Sequence, residues 1–89
     1  MARLNFEDVG EATVAPTTIT AEALFELGMM YSAGRDVEPD MITAHKWFNL
    51  AALRGNENAR FYRMELSREM TRREVARAQR EAREWLKHH

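Results

Sequence analysis

Three histidines, a scatter of carboxylates and a run of arginines are the groups through which this chain could do chemistry. His45 stands in a helix-length stretch with no second histidine four residues on, and the chain holds no cysteine. The spacing that clamps a metal ion is missing, so a rim or surface position is expected for His45. His88 and His89 close the sequence beside Lys87 and read as an appended tail or a frayed end, not a ligand pair. Glu22, Glu26, Asp36 and Asp40 could pair as acid and base. However, Glu22 and Asp40 stand at predicted helix starts, where unpaired backbone N–H groups favour carboxylates without any catalytic role. The sequence has no glycine-rich phosphate loop, no nucleophile motif and no cofactor fingerprint. The expectation is a protein that is not an enzyme and needs neither metal nor cofactor.

The arginines suggest a different chemistry. Arg73, Arg77 and Arg80 lie at i, i+4 and i+7, a spacing that forms a ridge able to meet phosphates. Glu74, Glu81 and Glu84 interrupt that ridge, and Glu69 is placed to pair with Arg73 at i, i+4. No aromatic platform is interleaved with the basic side chains, so nucleic acid is disfavoured as a partner. The alternative kept open is a homodimeric nucleic-acid-binding or regulatory module that uses this arginine-rich helix.

The elements that must carry these groups are bounded by length and charge. With 89 residues there is room for one small domain with a thin stability margin, and without cysteines no disulfide can staple it. Apolar packing must supply the core, completed if needed by a second copy or a partner. The net charge is −1, but it is unevenly spread. Residues 1–53 carry three basic against eight acidic side chains, and residues 54–89 carry ten against six. An acidic front and a basic tail favour head-to-tail contact or acidic partners on the tail. Asn5, Glu7 and Asp8 break any secretory run near the start, and no stretch reaches the roughly 18 apolar residues of a membrane span. A soluble, cytoplasmic protein with no membrane partner is expected.

Residues 1–19 lack helical periodicity and contain Gly10, Pro16 and Thr17-Thr18, which predicts an irregular arm. Leu4, Phe6, Val9, Val14 and Ile19 give it apolar points that can lie over a groove. A first helix is predicted over 21–33, capped by Thr20, with Ala23, Leu24, Leu27 and Tyr31 in an apolar stripe widened by Phe25, Met29 and Met30. Gly28 sits inside this helix at a cost of up to about 1 kcal/mol, which implies a close neighbour that needs the missing Cβ. Gly34 supplies the left-handed stop. A second helix over 41–54 starts at the Asp40 cap and carries Ala44, Trp47, Phe48, Ala51 and Ala52 to a stop at Gly55. Small Ala44, Ala51 and Ala52 leave room for a crossing to which Trp47 and Leu50 bring bulk. The short connection folds the two helices into an antiparallel αα-hairpin.

Ala23, Leu27, Gly28, Tyr31, Gly34, Val37, Asp40, Ala44, Trp47, Ala51, Ala52, Gly55 and Ala59 together resemble the Sel1-like repeat, a relative of the tetratricopeptide repeat. Ala23 and Ala59 are 36 residues apart, within the range of helical-hairpin repeats. The resemblance departs at Asp36, where the family prefers glycine; aspartate tolerates positive φ better than most residues, though less freely than glycine. One period on from Ala23 the pattern fails, with Arg63, Met64, Ser67, Met70 and Arg73 at the matching positions. A third helix is predicted over 57–69, with Ala59, Phe61, Tyr62, Leu66 and Met70 as its apolar set. A fourth over 72–87 opens with the capping box Thr71 to Glu74 and continues through Val75, Ala78, Ala82, Trp85 and Leu86. The fold expected for 20–87 is all-α: one Sel1-like hairpin closed by a degenerate hairpin whose arginines give a polar outer face.

Such a fold cannot bury Phe25, Met29, Met30, Phe48, Phe61, Tyr62 and both tryptophans on internal faces alone. The resemblance implies that first helices line the concave side, so Leu24, Phe25, Met29, Met30 and Tyr31 are the candidate partner-binding residues. The partner expected is a peptide or helix of another protein, or a second copy of the chain. The function expected is that of a non-catalytic interaction adaptor.

Overall fold

A computed structural model describes residues 19–89. Of the arm expected over residues 1–19, Leu4, Phe6, Val9 and Val14 lie outside the described residues. The described chain forms α1 (Ala21–Ala33), α2 (Met41–Leu53), α3 (Glu57–Ser67) and α4 (Arg72–His88), with no strand among the described residues. The ends shift slightly from the sequence reading, since α2 and α3 stop short of 54 and 69 while α4 reaches His88.

Each helix starts on a side chain that accepts a first-turn N–H. Thr20 Oγ1 accepts from Ala23 N at 3.1 Å, Asp40 Oδ1 from Thr43 N at 3.1 Å, and Asn56 Oδ1 from Ala59 N at 2.8 Å. At α4 the capping box is complete: Thr71 Oγ1 accepts from Glu74 N at 3.0 Å while Thr71 N donates to Glu74 Oε1 at 2.8 Å. Gly34 ends α1 at φ 75°, its N–H donating to Met30 O at 2.9 Å. Asp36 adopts φ 64°, the left-handed conformation that the missing family glycine implied. Asp40 N then donates to Tyr31 O at 3.0 Å and turns the chain back on itself.

The α1–α2 crossing is set by Gly28. A Cβ placed there would lie 2.5 Å from two ring atoms of Phe48, well inside contact distance. Phe48 is fully buried, so its ring has no room to retreat. This corrects the sequence reading at one point: Phe48, and not Trp47, brings the bulk to the α1–α2 crossing. Their places follow from adjacency on the helix, because one step turns the side chain by about 100°. Phe48 therefore points at α1. Trp47 turns away from α1 toward α4, where its ring meets Trp85 edge-on at a centroid distance of 5.8 Å.

Helix α2 is the hub of the molecule. Leu24, Ala44, Phe48, Leu50, Ala51, Ala59 and Ala82 form one buried cluster drawn from all four helices. Helices α1, α3 and α4 each pack on α2, and α3 and α4 make little contact with each other. The second hairpin thus closes on α2 and not on itself, since Ala59 of α3 and Ala82 of α4 both point to that helix. An apolar surface nearly all round α2 permits this arrangement. Ala23 departs from the stripe assigned to it. It is exposed, whereas Ala59, its counterpart one period on, is fully buried in the cluster around α2.

Gly28→Ala is expected to destabilise the fold by about 1–3 kcal/mol, despite the ~1 kcal/mol that alanine gains in helix propensity. Part of that loss should return in the double variant Gly28→Ala with Phe48→Leu, measured by urea denaturation. Additive losses would place the crowding elsewhere.

Candidate interaction surface

The five side chains of α1 expected to bind a partner do not share one surface. At about 100° per residue, Leu24, Gly28 and Tyr31 occupy the middle of the buried face, Phe25 and Met29 one flank, and Leu27, Met30 and Ala23 the other. Leu24 is fully buried and is removed from the candidate set. It stands one helical turn before Gly28, on the line where α2 lies closest. Tyr31 is half-buried and packs on the core cluster, while Met30 is half-buried on the flank away from α3.

Phe25 and Met29 face α3. The Phe25 ring lies 5.7 Å from Phe48 and 5.7 Å from Tyr62, and Tyr62 stacks on Phe48 at 5.6 Å and 21°. Three rings from three helices thus form a continuous aromatic floor, with Tyr62 exposed at its edge and Met29 half-buried beside it. Glu22 and Glu26 are exposed on the outer side of the same flank, so the rim next to Met29 is acidic.

Tyr62 and Phe61 belong to the apolar set of α3 and to the side chains too many to bury on internal faces, and both are exposed. Ala59 and Leu66, seven residues apart, fix the inward face of that helix; Phe61, two residues from Ala59, points almost directly away from it and is 54% exposed. Applied to the sequence, the same geometry identifies Phe61 and Met64 as outward-facing.

On α4 the expected arginine ridge is partly neutralised. Arg77 pairs with Glu81 at 3.0 Å, and Arg73 and Arg80 are exposed. The pairing expected between Glu69 and Arg73 is absent, because the chain leaves helical geometry between α3 and α4 and the two residues share no helix. Ion pairing there instead follows i, i+3 and i, i+4 spacings within single helices, as in Lys87 with Glu84 at 3.0 Å.

His45 is not at the rim. It is buried to 1% exposure, with Nε2 at 3.0 Å from Ser67 Oγ on α3. Ser67 Oγ donates its own proton to Arg63 O at 2.9 Å, so it accepts from His45, and the imidazole proton resides on Nε2. Nδ1 is then a buried acceptor without a partner. Protonating it would place a charge away from water and near the Arg63 guanidinium. Burial first, and the arginine second, hold the His45 pKa below its ordinary value of 6.5. Arg63 is itself held by Asn49 Oδ1 at 2.8 Å. The terminal His89 stacks on Trp85 at 4.2 Å and contacts Trp85 O through Nδ1 at 2.9 Å. Among the described residues, no group of three or more His, Cys, Asp or Glu side chains is placed to hold a metal ion.

The family model of the Sel1 repeat matches residues 21–56, the segment from the start of α1 to the cap of α3. Residues 21–56 are a Sel1 repeat. No curated protein and no solved structure matches the chain.

Because folded His45 binds a proton less readily than the unfolded chain does, stability is complete above about pH 6.5 and falls as pH drops toward the folded pKa. Denaturant titrations between about pH 5 and pH 7.5 should show this slope. The variant His45→Gln should flatten it, and an equal slope in both proteins would move its origin to another group.

Proposed function

We propose that the chain is a non-catalytic adaptor that docks a helical segment of another protein on the surface made by Phe25, Met29 and Tyr62, between α1 and α3. Sel1 repeats generally mediate protein–protein interaction and are generally non-catalytic. The observation that carries the finer reading is the aromatic floor. Phe25 and Tyr62 lie 5.7 Å apart across two helices over the buried ring of Phe48, so a partner side chain would meet a rigid apolar base. Met29 adds an adaptable edge that can repack around different apolar anchors.

Polarity at the rim orients the partner. Glu22 and Glu26 flank Met29 and favour a segment whose apolar anchors, at i and i+3 or i+4, are followed by lysine or arginine on the same side. Glu26 is shared with Arg35 at 3.6 Å, a solvent-exposed pair that a stronger bidentate arginine can displace at little cost. No helix among the described residues is long and apolar enough to cross a membrane.

Peptides selected from a random library against the full chain should carry such apolar anchors, and their affinity should fall about tenfold or more in Met29→Glu. Helicity should be unchanged, and Arg83→Glu on α4 should bind like the parent. Peptides that bind Met29→Glu as tightly as the parent would remove this surface from consideration.

A further inference from the structure

The outward face of α4 is basic without interruption. At about 100° per residue, Arg73, Arg80, Arg83 and Lys87 fall within an arc of about 80° opposite the buried Ala78 and Ala82, and Glu74, Glu81 and Glu84 all lie outside it. Glu81 is taken up by Arg77 and Glu84 by Lys87, each at 3.0 Å. Arg73, Arg80 and Arg83 are exposed and pair with no carboxylate among the described residues. Three guanidinium groups thus stand in a row about 15 Å long with no counter-charge of their own.

The chain itself carries a complement. Residues 1–18 hold Glu7, Asp8 and Glu11 against a single basic side chain, Arg3. Gly10 and Pro16 disfavour a helix there, and in extended chain Glu7 to Glu11 spans about 13 Å, close to the length of the arginine row. The structure fixes where this segment joins the fold. Ile19 packs on the buried cluster, and its carbonyl oxygen accepts from the Arg54 guanidinium, which lies over the ring of Trp85 at 5.8 Å. The segment therefore leaves the described fold beside the C-terminal half of α4. Residues 12–18 are uncharged, and from Ile19 an extended chain carries Glu11 up to about 28 Å, enough to pass around a helix of about 10–12 Å diameter and run along it. The aromatic floor is the poorer site for the same segment, because its rim holds Glu22 and Glu26.

We propose that residues 1–18 lie along the outward face of α4 in the same chain, with Glu7, Asp8 and Glu11 against Arg73, Arg80 and Arg83. Each pair is weak alone in water, but the tether through Ile19 holds the carboxylates at an effective concentration of about millimolar order, so the contact forms within one molecule before it forms between two. It is also sensitive to salt. Docked in this way, the segment shields the arginine row from other acidic ligands and leaves the surface of Phe25, Met29 and Tyr62 open.

The chain has no cysteine, so Val9→Cys takes a single nitroxide label. In the labelled full chain, the amide NMR signals of Arg73, Arg80 and Arg83 should broaden more than those of Phe25, Met29 and Tyr62. Reversing the three carboxylates together (Glu7→Lys, Asp8→Lys, Glu11→Lys) should abolish that selectivity, as should about 1 M salt, where screening sets in within about 3 Å. Adding Arg73→Glu, Arg80→Glu and Arg83→Glu to the reversed chain should restore it, with helicity unchanged because all three positions are exposed. An isotope-labelled chain without nitroxide, mixed with the nitroxide-labelled one, should show no broadening. The proposal falls if the three arginine amides are not selectively broadened, if the selectivity survives reversal of the carboxylates, if the broadening centres on Phe25 and Tyr62, or if it passes between molecules in the mixture.

Discussion

The molecule depends on one contact, the ring of Phe48 lying against the backbone of Gly28. An aromatic ring can reach a helix backbone only where no Cβ intervenes, and that approach sets how close α1 comes to α2. The burial of Leu24 one turn earlier follows, and so does the alignment of Phe25 over Phe48 and Tyr62. Fixing Phe48 also fixes Trp47, whose ring then points about a quarter-turn around α2 and meets Trp85. One residue without a side chain thus bears on how both α1 and α4 sit against the central helix. The cost of glycine inside a helix is offset by the dispersion contacts of a close-packed ring.

Much of this was legible from residue types whose physics is local. Thr20, Asp40, Asn56 and Thr71 can cap wherever they precede a helix, and Gly34 and Asp36 can take left-handed backbone, so elements and turns follow from short stretches of sequence. Gly28 signalled a close approach because nothing else explains its place. What the sequence could not settle was the neighbour. Trp47 and Phe48 are adjacent and both large, and only the phase of α2 between α1 and α4 decides which ring meets Gly28. His45 was misjudged for a related reason. Its burial depends on Ser67, 22 positions away on another helix, and a polar side chain on a mostly apolar helix gives no sign of such a partner. Phe61 is a different case, because its place in the apolar set of α3 takes no account of the direction that Ala59 and Leu66 impose.

The resulting surface divides its tasks. The flank of α1 toward α3 offers apolar rings with an acidic margin, the outer face of α3 exposes Phe61 and Met64, and α4 covers α2 while presenting arginines to water. These regions adjoin without overlapping, since consecutive side chains of α3 point in different directions: Tyr62 toward α1 and Phe61 outward. The buried His45–Ser67 bond ties α2 to α3 beneath them. Its unpaired Nδ1 leaves that tie more secure at neutral than at acidic pH.

Packing three helices on α2 has a consequence for how the chain opens. In long arrays each unit touches only its neighbours, and end units fray while the middle stays folded. Here the cluster around α2 takes residues from every helix, so releasing α4 uncovers Leu50 and Trp47 in the same helix that holds Phe48 in place. Amide hydrogens of α2 should exchange only through global unfolding, together with those of the inner turns of α1 and α3, so that the four described helices open as one cooperative unit.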